Sequence, residues 1–229
     1  MEQIERFNLA VATITVAVMF LVLEYVAPLL QSPTLTVRLL AWLPFLSVDQ
    51  IVAALKVILT VLISVGTYKI VSRSLIVLLD FVPLLKRYVF GPSYMEGTWI
   101  GRFYDSQQRP KFTVEHFVQD LGGIVIRGWA FNEDGSTYAD WSSDTVSVDA
   151  KIGVIRYTYD CDVMFKNTRQ QGIGSFKVAS FGLFRNPTSI KGYSADLTDG
   201  TRSENTETNI SRSFIDPDVA LAQARAKYR

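Results

Sequence analysis

Hydrophobic and polar positions divide this chain into two parts with different periods. Residues 7–23 carry no charge; apart from Asn8 and two threonines they are Leu, Val, Ile, Ala, Met and Phe. The apolar run resumes after Glu24 and reaches Leu30, long enough for a spanning helix, which needs about 20 residues. A lone segment in hydrocarbon must bond its own backbone, so it crosses as a helix despite its β-branched content. The pattern predicts one span over about 8–30 and a second over about 51–71. Lys56 and Lys69 stand near the ends of the second, where their ammonium groups can reach an interface. Residues 1–72 thus read as a transmembrane helical hairpin. Pro28, Pro33 and Pro44 suit the turn region, and the apolar run 39–46 can lie flat in the interface. The apolar stretch 74–90 is broken by Asp80 and Pro83 and is too short to span. With Lys86 and Arg87 at its end it reads as an interfacial helix, making 73–92 a connector.

Past Gly91-Pro92 the period changes to two. Runs rich in Val, Ile, Thr, Tyr, Phe and Trp recur between turn residues, the pattern of an all-β sandwich or barrel. Strands are predicted at 98–104, 111–120, 124–131, 137–148, 154–163, 174–184, 190–197 and 206–214. Turns are predicted at Leu121-Gly122-Gly123, Asn132-Glu133-Asp134-Gly135, Asn186-Pro187 and Thr198-Asp199-Gly200. Short consecutive hairpins imply an antiparallel meander, and closing it removes the exposed edges. Residues 93–215 are therefore expected to form an eight-stranded antiparallel barrel, its interior filled or holding one small ligand. Asp216 as N-cap and Pro217 as first helical residue open a short tail helix over 216–229, docked or frayed.

Charge sharpens the division. Residues 1–90 hold 12 charged side chains and the remainder 33. Net charge is +1, which argues against a DNA or RNA polymer as partner, since that needs a clustered basic excess. Cys161 and His116 are each the single residue of their kind, so a disulfide framework or a Cys/His metal site is not expected. The acidic segment before the first span argues against a cleaved leader. Between the spans the only Lys or Arg is Arg38, whereas Lys69, Arg73, Lys86 and Arg87 follow. The positive-inside rule then places both termini in the cytoplasm. Glu24 and Lys56 fall at similar depth in antiparallel helices, where they can form a membrane polar pair or each snorkel to the surface.

No enzyme is predicted. There is no phosphate-cradling Gly-x-x-x-x-Gly-Lys loop, and Gly172-Ile173-Gly174-Ser175 precedes a strand rather than a helix. His116 lies mid-strand and reads as a core or rim residue. Alternation sets Cys161 on the face opposite Asp160 and Asp162 and suits a small buried residue. What stands out is aromatic residues beside cations. Arg102 and Tyr104 share one strand face, as do Arg127 and Trp129; Tyr157 and Tyr159 share another, with Arg156 opposite, and Lys177 and Arg212 add charge. Aromatic rings stack on nucleobases and Arg forks clasp phosphate, so these residues are candidates for binding a nucleotide-sized anion. The alternative is that the cations form a solvated outer face.

The first predicted strand opens with Glu96-Gly97-Thr98-Trp99-Ile100-Gly101. Gly97, Trp99 and Gly101 resemble the strand opening of lipocalin-like barrels, in which the Trp closes the floor. Two spans, a short connector and an eight-stranded barrel opening on this motif together resemble the two-transmembrane, β-strand-rich effectors of CBASS antiphage systems. The resemblance implies that a partner CD-NTase makes a cyclic nucleotide, that the barrel senses it, and that ligand-driven self-association disrupts the bacterial inner membrane and kills the infected cell. It assigns Trp99 a structural role and pins no ligand residue. A membrane-tethered lipocalin-like carrier of an apolar molecule, or a filled interaction barrel, are the other expectations.

Overall fold

The computed structural model describes residues 3–30, 48–164, 168–179, 186–198 and 200–228. The expectations for Pro33, Arg38, Pro44, the run 39–46, the end of the sixth predicted strand beyond 179, Asp199, and the side chains of Lys56 and Asp80 lie outside the described residues. The chain forms two units, Met1–Leu85 and Lys86–Arg229.

In the first unit, α1 (Gln3–Leu30) and α2 (Val48–Phe81) lie against one another. Both are long and apolar enough to cross a membrane, over Glu5–Val22 and Thr60–Leu79. Only 17% and 11% of those segments are buried, whereas a helix in a soluble core would bury most of its apolar face. Phe20 and Ile70 are among the side chains left open. Glu24 is exposed. The second helix does not stop near residue 71, because nothing at Arg73-Ser74 interrupts a helical backbone. It continues to Phe81 and ends at Val82 before Pro83, whose ring blocks the preceding turn. Pro83 then opens α3 (Pro83–Phe90).

The second unit begins with the end of α3. Lys86 Nζ donates to both carboxylate oxygens of Glu96, at 2.7 and 2.8 Å, and Val89 and Phe90 are buried. A 3₁₀ turn (Gly91–Ser93) leads into eight strands: β1 (Gly97–Tyr104), β2 (Pro110–Asp120), β3 (Gly123–Phe131), β4 (Thr137–Asp149), β5 (Val154–Val163), β6 (Thr168–Val178), β7 (Ser189–Asp196) and β8 (Arg202–Ser211). Each pairs antiparallel with the next, and β1 pairs with β8, so the sheet closes into a barrel. Two strands begin earlier than the sequence predicts. β6 starts at Thr168 and β8 at Arg202, because the polar runs Arg169-Gln170-Gln171 and Ser203-Glu204-Asn205 carry no hydrophobic alternation yet are paired by one neighbouring strand each, β5 and β7.

The tail forms α4 (Pro217–Tyr228), capped by Asp216, whose side chain accepts from Asp218 N at 3.0 Å. It is docked. Ala220, Leu221 and Ala224 pack on Ile100, Phe112 and Val114 of the outer wall. Both faces of β2 are therefore covered, one by the barrel interior and one by this helix.

Candidate functional site

Alternation along each strand, once Trp99 is placed inside, fixes which residues face the interior. The lower end is filled. Trp99 is fully buried, stacks on Phe117 at 5.3 Å and donates its indole N–H to Met95 O at 2.9 Å. Ile126, Ile155, Phe176 and Ile190 complete this layer. Gln119 seals it, accepting from Met95 N at 2.8 Å and donating to Ser93 O at 3.0 Å. Gly97 has φ +129°, and a side chain there would collide with the Ser211 carbonyl, so the motif's first glycine permits the β1–β8 seam.

Above the floor lies a cavity of about 150 Å³. Its aromatic walls come from Phe103, Tyr138, Trp141, Tyr157 and Tyr159, and its polar ones from Thr113, Glu115, Ser194 and Asn205. Glycines make room for these groups. A Cβ on Gly101 would stand 2.6 Å from Thr113 Oγ1 and 2.7 Å from Glu207 Cγ. Gly174 seats the Tyr157 ring in the same way, Gly172 that of Tyr159 and Gly128 the Trp141 indole. Gly172-Ile173-Gly174 is thus a seat for two tyrosines.

Glu115 and Glu207 are 2% and 0% exposed, and their carboxyl groups face one another. Burial raises both pKa values, and for Glu115 the neighbouring Glu207 charge adds to the rise. Two such carboxyls bond to each other only by sharing a proton. Trp141 donates a hydrogen bond to Glu115. No other donor reaches Glu115 Oε2, either Glu207 oxygen, Thr113 Oγ1 or Asn205 Oδ1. Asp105 at the mouth differs. Burial alone would raise its pKa, but hydrogen bonds from Arg109, Gln107 and Lys111 outweigh that and hold the carboxyl at about 2. Lys111 is spent on Asp105 and Asn132, at 3.4 and 2.7 Å. Among the described residues lining the cavity, none is Lys or Arg. Cys161 also lines it; burial, then Asp140, Asp162 and Asp196, push its thiol up to about 12, so it is protonated at neutral pH.

The candidate residues separate across the barrel wall. Tyr157 and Tyr159 face the cavity, their rings 5.9 Å apart. Arg102 lies outside, donating to Tyr228 O of α4 at 2.6 Å, with its guanidinium 5.3 Å from the exposed Tyr104 ring. Arg127 is exposed on the outer wall, and Trp129 packs there against His116, ring centroids 5.0 Å apart. His116 Nε2 sits 2.9 Å from Ile215 O. Lys177 is exposed, opposite Lys191 across β6 and β7. Arg212 donates to Glu96 O and Pro187 O. Glu115, Glu207, Asn205 and Trp141 were not singled out by sequence reasoning. Glu115 carried no local signal, because its own strand face reads Thr113, Phe117 and Gln119, a mixture of polar and apolar residues.

No family model matches the chain, and no curated protein matches it. Among solved structures it is similar to a de novo designed fluorescence-activating β-barrel, at 18% identity and a TM-score of 0.37, over 52% of this chain and 95% of that one. It is also similar to a redesigned β-barrel, at 16% identity and a TM-score of 0.40, over 53% and 96%. What the chain carries is a closed eight-stranded antiparallel β-barrel together with two apolar helices of membrane-spanning length.

Proposed function

We propose that this chain is a membrane-anchored receptor and effector whose barrel binds a nucleotide second messenger. In this reading the two helices anchor it in the inner membrane with both termini cytoplasmic. Ligand binding favours a self-associated state that disrupts the bilayer, as the resemblance to CBASS effectors implies. The observation that carries the binding role is the cavity: about 150 Å³, aromatic on several sides and rich in buried hydrogen-bond acceptors. A cavity of this size holds one benzene-sized ring, whereas a drug-sized ligand fills about 300–1,000 Å³. A nucleobase would enter while the sugar-phosphate ring of a cyclic nucleotide stays at the mouth. Phosphate is not expected inside, since the lining lacks a cation among the described residues. The carrier reading calls for an apolar cavity, and the buried Glu115, Thr113 and Asn205 oxygens weigh against it.

The test is calorimetric titration of the full chain in nanodiscs against cyclic di- and trinucleotides, with a linear dinucleotide as control. Selective binding that raises the oligomeric state supports the proposal. Absence of binding to every cyclic nucleotide by the folded protein overturns it.

A further inference from the structure

The floor of the cavity is a cluster of acceptors that no donor of the chain satisfies. Glu115 Oε2, Thr113 Oγ1 and Asn205 Oδ1 belong to residues at most 8% exposed, and all three residues line the cavity. Glu207 stands just behind, with both carboxyl oxygens unmatched by any N–H. An unpaired buried acceptor costs the desolvation of that group with nothing in return. Several at one place define what complements them: a group that donates and does not accept. The walls narrow the choice, because Trp141, Tyr138 and Tyr159 offer flat apolar faces to a ring. A hard metal ion is a poorer match, since it takes six or more oxygens at about 2.0–2.6 Å and no group of three or more metal-ligating acids, histidines or cysteines exists among the described residues.

We infer that the cavity is selective for a flat ring bearing adjacent N–H donors, an amidine or amino-heterocycle edge, with Glu115 accepting from it, the proton it shares with Glu207 passing to Glu207 or to solvent on binding, and with Asn205 and Thr113 beside it. Two parallel N–H donors meet one carboxylate in a bidentate pair, the strongest geometry open to such a group. An acidic ring of the same shape would bring only acceptors to a site already lined with unmatched ones. Resting on the reading above, this deepens it: the base that enters presents a ring N–H beside an exocyclic N–H, so guanine is favoured over adenine, cytosine and uracil.

The first test needs no nucleotide. Benzamidine and benzoate have nearly the same shape and opposite hydrogen-bonding character. Titrated calorimetrically into the full chain in nanodiscs, benzamidine is expected to bind at least tenfold more tightly than benzoate. Glu115→Gln is expected to lose at least tenfold in benzamidine affinity. Should that variant fail to fold, chemical-shift changes at the Trp141 indole N–H in the unsubstituted protein report occupancy instead. Equal binding of the two probes, stronger binding of benzoate, or stabilisation by Mg²⁺ or Ca²⁺ that displaces benzamidine would each overturn the inference. The second test compares cyclic diguanylate with cyclic diuridylate, with a tenfold preference for the former expected. Cyclic nucleotides that bind without that preference sink the inference and leave the receptor reading standing. Benzamidine binding with no cyclic nucleotide bound does the reverse.

Discussion

Below Gly101 the barrel interior is filled by Trp99, Phe117, Ile126 and Phe176, and its polar atoms are matched, as where Gln119 meets Met95 N and Ser93 O. Above Gly101 the same strands enclose empty volume and acceptors without donors. Strand geometry alone does not distinguish the halves. The difference lies in glycine placement and in which side chains are large. Below, glycine at position 97 lets two backbones approach; above, glycines at 101, 128, 172 and 174 yield space to functional side chains from neighbouring strands. One half thus supplies stability, and the other gives some of it up for a shaped, charged interior.

The largest expected effect is in the lower half. Trp99→Ala removes the most voluminous fully buried side chain and one hydrogen bond, and should cost about 3–5 kcal/mol in chemical denaturation. A cost near zero would mean that the floor does not hold the barrel. Next comes the boundary. Gly101→Ala forces a methyl against Thr113 Oγ1 and Glu207 Cγ, with an expected loss of about 1–3 kcal/mol. Glu207→Ala in the same chain should return part of it, and strict additivity would show that the two sites do not touch.

The pH dependence separates the halves without a steric change. Burial pushes the Glu207 carboxyl up to about 7 and raises that of Glu115, with Tyr157, Tyr159 and Tyr228 as titratable neighbours. The folded state then keeps protons that the unfolded chain has lost. The stabilisation is complete below the unfolded carboxyl range, near pH 4, and falls as pH rises toward about 7, at up to about 1.4 kcal/mol per pH unit for each retained proton. Glu207→Gln should flatten that slope and leave the protein more stable than the parent at pH 8. An unchanged slope in denaturation curves from pH 5 to 8 would place the titration elsewhere. The smallest effect belongs to the outer wall. Arg127→Ala should change stability by less than about 0.5 kcal/mol and cyclic-nucleotide affinity by less than twofold. A tenfold loss would move the binding surface outside the barrel.

Much of the architecture was legible because period-two alternation and turn residues recur along 98–163, and because two long apolar runs precede them. β6 and β8 were displaced because their first halves are polar, and such residues extend as strands because a neighbouring strand supplies hydrogen bonds, β5 for β6 and β7 for β8. The inward set was harder to read. Alternation groups Tyr157 with Tyr159, and Arg127 with Trp129, yet does not say which group faces in. That choice was made by α4, whose Ala220 and Leu221 cover one face of β2 and leave Glu115 on the other. A helix distant in sequence thus decided which acids are buried, and no local pattern at Glu115 or Glu207 carries that information.

The pairing of β1 with β8 has a temporal meaning. Roughly 110 residues separate Thr98 from its partner Ser211, and at about 5–20 residues per second a ribosome needs on the order of ten seconds to bridge them. Throughout that interval a nascent chain whose first two helices have already been made carries two unpaired strand edges, each able to recruit the edge of another copy. Chains translated side by side on one messenger would be most exposed to such exchange, so the pace of synthesis between β1 and β8 bears on whether a barrel closes on itself or on its neighbour.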